Sequence, residues 1–401
     1  MKKFAALVLA LCLCLTAAVS LADGIAKENI KMGVITLHDE QSTYDKNFIE
    51  SAKKAAENLG LSEDQLIIVS GIPESDECRQ KALDLADEGC NIIFADSFGH
   101  EDFMIEAAKE YPDVVFAHAT GTKAHTANQA NFHNAFASIY EGRYLAGVAA
   151  GLKLNEIKEA GKLKGEVPMI GYVGAFTYAE VISGYTSFYL GAKSVCPDVI
   201  MKVQFTGSWY DEMAEKSAAE ALINAGADLI SQHADSMGAP TACESANIPN
   251  ISYNGSTVDA CPNTFIVASK IDWAPYFEYL INQTIAGEAI DVDWTGTIQT
   301  GSVVLTDVNE AAAAAGTVEK IAEVKAELEN GTRKVFDTAA EGFITKDGAP
   351  LTSYMADVDS DAAFTPDTEA VADGYFHESE FRSAPYFDVQ IDGIELLNSA
   401  F

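Results

Sequence analysis

From about residue 30 onward, short apolar runs alternate with longer runs that are apolar on one face only. "NIKMGVIT" (29–36) predicts a strand, and "YDKNFIESAKKAAENLG" (44–60) predicts a helix stopped by Gly60. The pattern repeats through "DQLIIVSG", "ESDECRQKALDLADEG", "NIIFADS", "HEDFMIEAAKEYP" and "DVVFAHATG". Strands that are apolar throughout, separated by amphipathic helices, predict a parallel sheet covered on both faces.

A long helix, "SIYEGRYLAGVAAGLKLNE", interrupts the alternation, and after "AGKLKGE" it starts again. "PMIGYVGAF", "VIMKVQFTGS", "ADLISQHA" and "IPNISYN" are the second set of strands, with helical runs between them. The expected architecture is α/β: two Rossmann-like lobes with parallel sheets, joined by a hinge. "NTFIVASKIDWAPYFEYLINQTIAGE" (263–288) adds a strand and a helix that return to the first lobe. The expected division is 23–140 with 266–295 in lobe 1 and 141–265 with 296–335 in lobe 2. Residues 336–401 then form an acidic, irregular extension packed on the lobes.

Ligands of such sheets bind beyond the carboxyl ends of the strands. In the first lobe those ends carry His38, Asp39, Tyr44 and Phe48, then Asp96, Ser97 and Phe98, then His118 and Thr120. The second lobe offers Phe176 and Tyr178, then Trp209, Tyr210 and Asp211, then His233, Asp235 and Ser236, and finally Asn254. The returning segment adds Lys270 and Trp273. Rings interleaved with carboxylates, amides and hydroxyls suit a flat, neutral, hydrogen-bonding ligand, such as a purine base or nucleoside. Rings at strand ends also pack lobe edges, and Asp45 and Asp211 are equally placed to cap helices. Trp209 stands apart because the polar turn "GSWYD" has no core-facing periodicity.

Charge and export narrow the picture. "MKKFAALVLALCLCLTAAVSLADG" has the form of a secretory signal, with two lysines, an apolar stretch and a small-residue cleavage site after Ala22. No cysteine stands at the expected cut, so a soluble periplasmic or secreted protein is expected rather than a lipoprotein. The formal charge of −34 repels nucleic acid and anionic membrane surfaces. Of the remaining cysteines, Cys243 and Cys261 are the expected disulfide pair, closing a short loop. The cysteine spacings match no zinc pattern, and the phosphate-cradling glycine loops are absent, so neither metal nor nucleotide phosphate nor any other cofactor is expected.

"ISQHADS" (230–236) invites a catalytic reading through His233, Asp235 and a serine. Residues at i, i+2 and i+3 of a strand running into a loop do not converge on one reacting atom, and triads are normally assembled from distant segments. A binding role is the expectation.

The stretches "FHNAFASIYEGRYLAGVAAGL", "FAHATGT", "IGYVGAF", "GAKSVCPD", "GSWYDE", "GADLISQHADS" and "DWAPYF" resemble the basic membrane protein family of ABC-transporter substrate-binding proteins, purine-nucleoside binders among them. The resemblance implies the type I periplasmic binding fold and delivery of a purine base or nucleoside to an inner-membrane permease, by a protein expected to be monomeric. It implies that Trp209 stacks on the base, that Tyr44 or Phe48 approaches from the first lobe, and that Asp235 and Asn254 make polar contacts. Lys270 sits near a lysine that contacts ribose in the family. The family's first-lobe aspartate after the fourth strand is replaced here by His118-Ala119-Thr120. A sugar or flavin ligand, and a sensing rather than a transport role, are the alternatives.

Overall fold

The computed structural model describes residues 24–339, 343–358 and 368–401, so the expected signal segment lies outside the described residues. The first run of elements is β1 (Met32–Ile35), α1 (Thr43–Leu59), β2 (Leu66–Val69), α2 (Asp76–Asp87), β3 (Ile92–Ala95), α3 (Glu101–Glu110), β4 (Val115–Ala119) and β5 (Phe132–Ala137). The second is α4 (Ile139–Glu159), β6 (Met169–Gly174), α5 (Ala179–Val195), β7 (Ile200–Phe205), α6 (Glu212–Asn224), β8 (Leu229–His233), α7 (Gly238–Ala246), β9 (Asn250–Tyr253) and β10 (Phe265–Ile271). Then follow α8 (Ala274–Ala286), β11 (Asp293–Gly296), β12 (Val303–Leu305) and α9 (Thr317–Glu329). The last region holds the short strands β13 (Met355–Ala356), β14 (Thr368–Glu369), β15 (Val371–Ala372) and β16 (Tyr375–Phe376), and finally β17 (Ile394–Leu396).

Two sheets organise these elements. The first has the order β11-β5-β4-β3-β1-β2 and the second β12-β10-β9-β8-β6-β7-β17. All neighbours are parallel except β12, which runs against β10. Both sheets start at a central strand (β1, β6), step out to one side, then return past it. That reversal leaves a crevice at the carboxyl ends. The runs "MGVI" and "IIFA" are buried at every position, as a doubly covered sheet requires.

The helices begin and end where local chemistry dictates. Ser42 caps α1 by accepting from the Asp45 backbone N–H, and Gly60 closes it in the left-handed conformation at φ 63°. Asp45 is therefore not the cap expected from sequence. Asp211 does cap α6, accepting from Ala214. The "EGRYLAG" signature has a packing origin. A side chain at Gly147 would collide with the Phe188 carbonyl, and one at Gly191 with that of Tyr144, so α4 and α5 lie backbone to backbone.

The chain crosses between sheets after β5, after β10 and after β11. The expected assignment of 266–271 to the first lobe is corrected: β10 pairs with β9 in the second sheet. Its apolar run completes the second core, and only from α8, which lies against α1, does the chain return. The expected Cys243–Cys261 disulfide is also not formed. Both are buried free thiols in separate apolar clusters, Cys243 on the buried face of α7 and Cys261 beside Phe265. Among the described residues no helix is long and apolar enough to cross a membrane.

Candidate ligand-binding site

The strand ends of the two sheets face each other across a narrow pocket with about 390 Å³ of atom-free space. The first lobe contributes Leu37, His38, Tyr44, Asp45, Ser97, Phe98 and Thr120, and the second Glu180, Trp209, His233, Asp235 and Tyr253. The lobes touch directly: the Thr43 N–H donates to the Asp235 carbonyl at 3.1 Å, and the Phe98 and Tyr178 rings approach to 5.6 Å.

None of the lining residues is a lysine or arginine, while three are acidic. Their surroundings separate them. Burial raises the Asp45 carboxyl, but hydrogen bonds from His38 and Ser42 outweigh it and hold the group below its ordinary range. The His38 N–H lies at 2.7 Å and the Ser42 hydroxyl at 2.5 Å. Asp96, directly behind, is pushed well up by burial and by the Asp45 charge, so the environment moves the two carboxyls in opposite directions. Asp235 is likewise raised well above its ordinary range by burial, with the Asp45, Glu215 and Glu180 charges adding to it.

His233 is engaged by Glu180 and Tyr253. Its Nε2 lies 3.4 Å from Glu180 Oε1, its ring lies 4.4 Å from that of Tyr253, and burial keeps the imidazole neutral by lowering its pKa. Its side-chain hydrogen bond thus goes to Glu180 rather than to Asp235 or a serine of "ISQHADS". Behind Tyr253 the fully buried Arg143 places its guanidinium 4.9 Å from that ring and 4.9 Å from Phe188. Its Nη2 donates to Tyr172 at 2.8 Å and to Ser231 at 3.0 Å. This cation is held by rings and neutral oxygens, and it stiffens the floor of the pocket.

The opposite wall is aromatic. Phe176 stacks on Tyr178 at 5.0 Å, and Trp209 meets Phe176 edge-on at 5.0 Å and Tyr178 at 6.1 Å. All three rings are half-buried. Thr120 adds a local outlier: a β-branched residue at φ 64°, a conformation that costs energy and is maintained here by the surrounding fold.

Of the residues expected from sequence, Tyr44, Ser97, Phe98, Trp209 and Asp235 line the pocket, and Tyr178 stands in its outer wall. Asn254 sits one layer back, buried, where Asn47 donates to its Oδ1 at 3.4 Å. Phe48 and Trp273 are corrected: they stack on each other at 4.5 Å inside the first-lobe core, 0% and 1% exposed. Lys270 is corrected too, lying half-buried in the β10–β12 ladder opposite Val304, outside the pocket lining. Glu180 and Tyr253 were missed by sequence reading. Glu180 is the second residue of a helix that follows a strand end, and Tyr253 the last residue of β9, so both had positional signals.

The family model of ABC transporter substrate-binding proteins, PnrA-like (Bmp), matches residues 32–332. The chain belongs to this family. Its members are extracytoplasmic solute-binding components of ABC transporters, not enzymes by class. A purine-binding protein of Brucella abortus is 34% identical over 255 residues, covering 63% of this chain and 68% of its own length. A protein of Haloferax volcanii named as an ABC transporter glucose-binding protein is 33% identical over 212 residues, 53% of this chain and 50% of its own. A solved solute-binding protein of Aeropyrum pernix shares the fold with a TM-score of 0.61 at 17% identity, covering 77% of this chain and 93% of its own. The Bmp chain thus has the two α/β lobes expected from its apolar pattern, in the type I periplasmic binding fold that the family resemblance implied.

Proposed function

We propose that this Bmp-family protein is exported, acts as a monomer, and captures a purine base or nucleoside between its lobes for delivery to a membrane permease, without catalysing a reaction. The observation that carries the reading is a pocket between the lobes lined by the rings of Tyr44, Phe98, Trp209 and Tyr253 and by the carboxyl groups of Asp45, Glu180 and Asp235, with no lysine or arginine among the lining residues. Rings sandwich a flat heterocycle, and carboxyl oxygens accept from its N–H edge. A phosphate would meet three acidic side chains, so a free nucleotide is disfavoured. Tyr44, Ser97, Phe98, Trp209 and Asp235 are the proposed contacts, with Glu180, His233 and Tyr253 added and Asn254 one layer back. A ligand that touches both lobes stabilises the closed arrangement by differential contacts.

The Haloferax relative favours a second reading, a sugar ligand. Thermal-shift and calorimetric titrations with adenine, hypoxanthine, adenosine, guanosine and glucose separate the two. At ligand concentrations of about 100 Kd a true ligand adds about 2.7 kcal/mol to stability. Stabilisation by a base or nucleoside and none by glucose is expected, and stabilisation by glucose alone overturns the purine reading.

A further inference from the structure

Residues beyond 332 lie outside the family match, yet one stretch of them reaches the pocket wall. β17 adds to the outer edge of the second sheet, parallel to β7, with Ile394 beside Met201 and Leu396 beside Val203. Past it, Asn398 grips Phe205 from both sides: the Phe205 N–H donates to Oδ1 at 2.7 Å and Nδ2 donates to the Phe205 carbonyl at 2.9 Å. Ala400 and Thr177 then exchange two hydrogen bonds. The Thr177 N–H donates to the Ala400 carbonyl at 2.7 Å, and the Ala400 N–H donates to Thr177 Oγ1 at 2.9 Å.

Thr177 stands between Phe176 and Tyr178, the two rings that meet Trp209. The loop from Ala175 to Tyr178 joins β6 to α5 and is half-buried beyond Ala175. A backbone pair at its centre fixes the peptide planes on either side of Thr177, and with them the directions of both rings. The same region is anchored to the other lobe further back. The Thr295 hydroxyl donates to the Ser379 carbonyl at 3.2 Å, and the Ser383 N–H donates to Asp293 at 3.0 Å, both on β11.

We propose that residues 397–400 are a positioning element of the ligand site: they hold the 175–178 loop so that Phe176 and Tyr178 stand against Trp209. The proposal rests on the reading of this pocket as the ligand site. It goes beyond that reading by assigning part of the site to a segment the family match does not reach.

The test compares the full chain, a chain ended after Leu397, Thr177→Val, and Thr177→Ser. The protein holds three tryptophans, Trp209, Trp273 and Trp294, so 5-fluorotryptophan labelling yields three fluorine resonances. In the shortened chain the Trp209 resonance is expected to shift or broaden while the other two stay. Amide exchange at Thr177 rises at least tenfold, and the Kd for adenine or guanosine, whichever the full chain binds, weakens about tenfold, the scale of two or three lost hydrogen bonds. Thr177→Val reproduces part of this effect, and Thr177→Ser, which keeps the hydroxyl, restores it. An unchanged Trp209 resonance and Kd overturn the proposal. So does joint movement of all three resonances with a collapsed Tm, because the segment is then merely structural. Failure of the full chain to bind any purine overturns the purine reading instead, while the fluorine and exchange measurements still decide the role of the segment.

Discussion

Two aromatic clusters flank Tyr44, built from similar residues and put to different uses. On one side Phe48, Phe94 and Trp273 are closed into the first-lobe core, with Phe48 stacked on Trp273 at 4.5 Å and Phe94 edge-on to Phe277 at 5.0 Å. On the other, Phe176, Tyr178 and Trp209 form a half-buried ring cluster whose Trp209 lines the pocket. Tyr44 joins the first through its ring, 4.9 Å from Phe48, its hydroxyl donating to the Asp96 carbonyl at 2.7 Å, and it lines the same pocket as Trp209. The two residues are one helical turn apart on the same face of α1. That turn moves a ring from the cleft into dry protein. Position after a strand thus brings a ring to the neighbourhood of a site, and depth along the following helix decides whether a ligand can touch it.

Removing one ring from each cluster gives the largest expected effects and breaks the comparison if it is wrong. Phe48→Ala should destabilise by about 3–5 kcal/mol in urea unfolding, as for a fully buried ring, with the Kd of the folded fraction changed less than about twofold. A ligand defect out of proportion to the lost stability would return Phe48 to the site. Trp209→Ala should do the reverse: roughly a hundredfold weaker binding by calorimetry, about 2.7 kcal/mol, with stability altered by less than about 1 kcal/mol.

The polar underside of the second cluster has no counterpart in the first, and it titrates. Burial raises Glu215 from 4.5 to about 7, even though its oxygens accept from the Ser236 N–H at 3.2 Å and hold the loop that carries Asp235. A carboxyl protonated in the folded state contributes stability that is complete below its ordinary pKa and lost as pH rises through the raised one. Glu215→Gln, which does not titrate, should therefore gain on the wild type by roughly 2 kcal/mol between about pH 5 and pH 8. Parallel pH profiles of the two proteins in urea unfolding would show that Glu215 ionises normally. The smallest effect concerns Lys270, which stands outside both clusters. Lys270→Ala should change nucleoside affinity by less than about threefold, and a tenfold loss would place it against the ribose after all.

Much of this was legible in the chain. The strands that carry the site were marked by continuous apolar runs, and Trp209 by a large ring in a polar turn. Tyr44, Phe98 and Asp235 followed from standing just past those strands. What stayed hidden depended on three-dimensional neighbours. β5 was absorbed into the helix signature that follows it, because "FHNAFA" carries polar side chains that only β4 and β11 explain. β10 looked like the start of the returning segment until its pairing with β9 placed it in the second sheet. The cysteines looked like a loop-closing pair, yet both thiols are taken up by packing.

By itself the sequence determined the alternation of strand and helix, the two-lobed plan and the strand ends where a ligand is met, because periodicity and capping are local properties of the chain. Tertiary structure alone decided which rings are buried and which carboxyls burial pushes up. It also brought residues 397–400 back to Thr177 from across the molecule. Burial, like-charge proximity and long-range backbone pairing are properties of neighbours distant in sequence, and no local pattern encodes them.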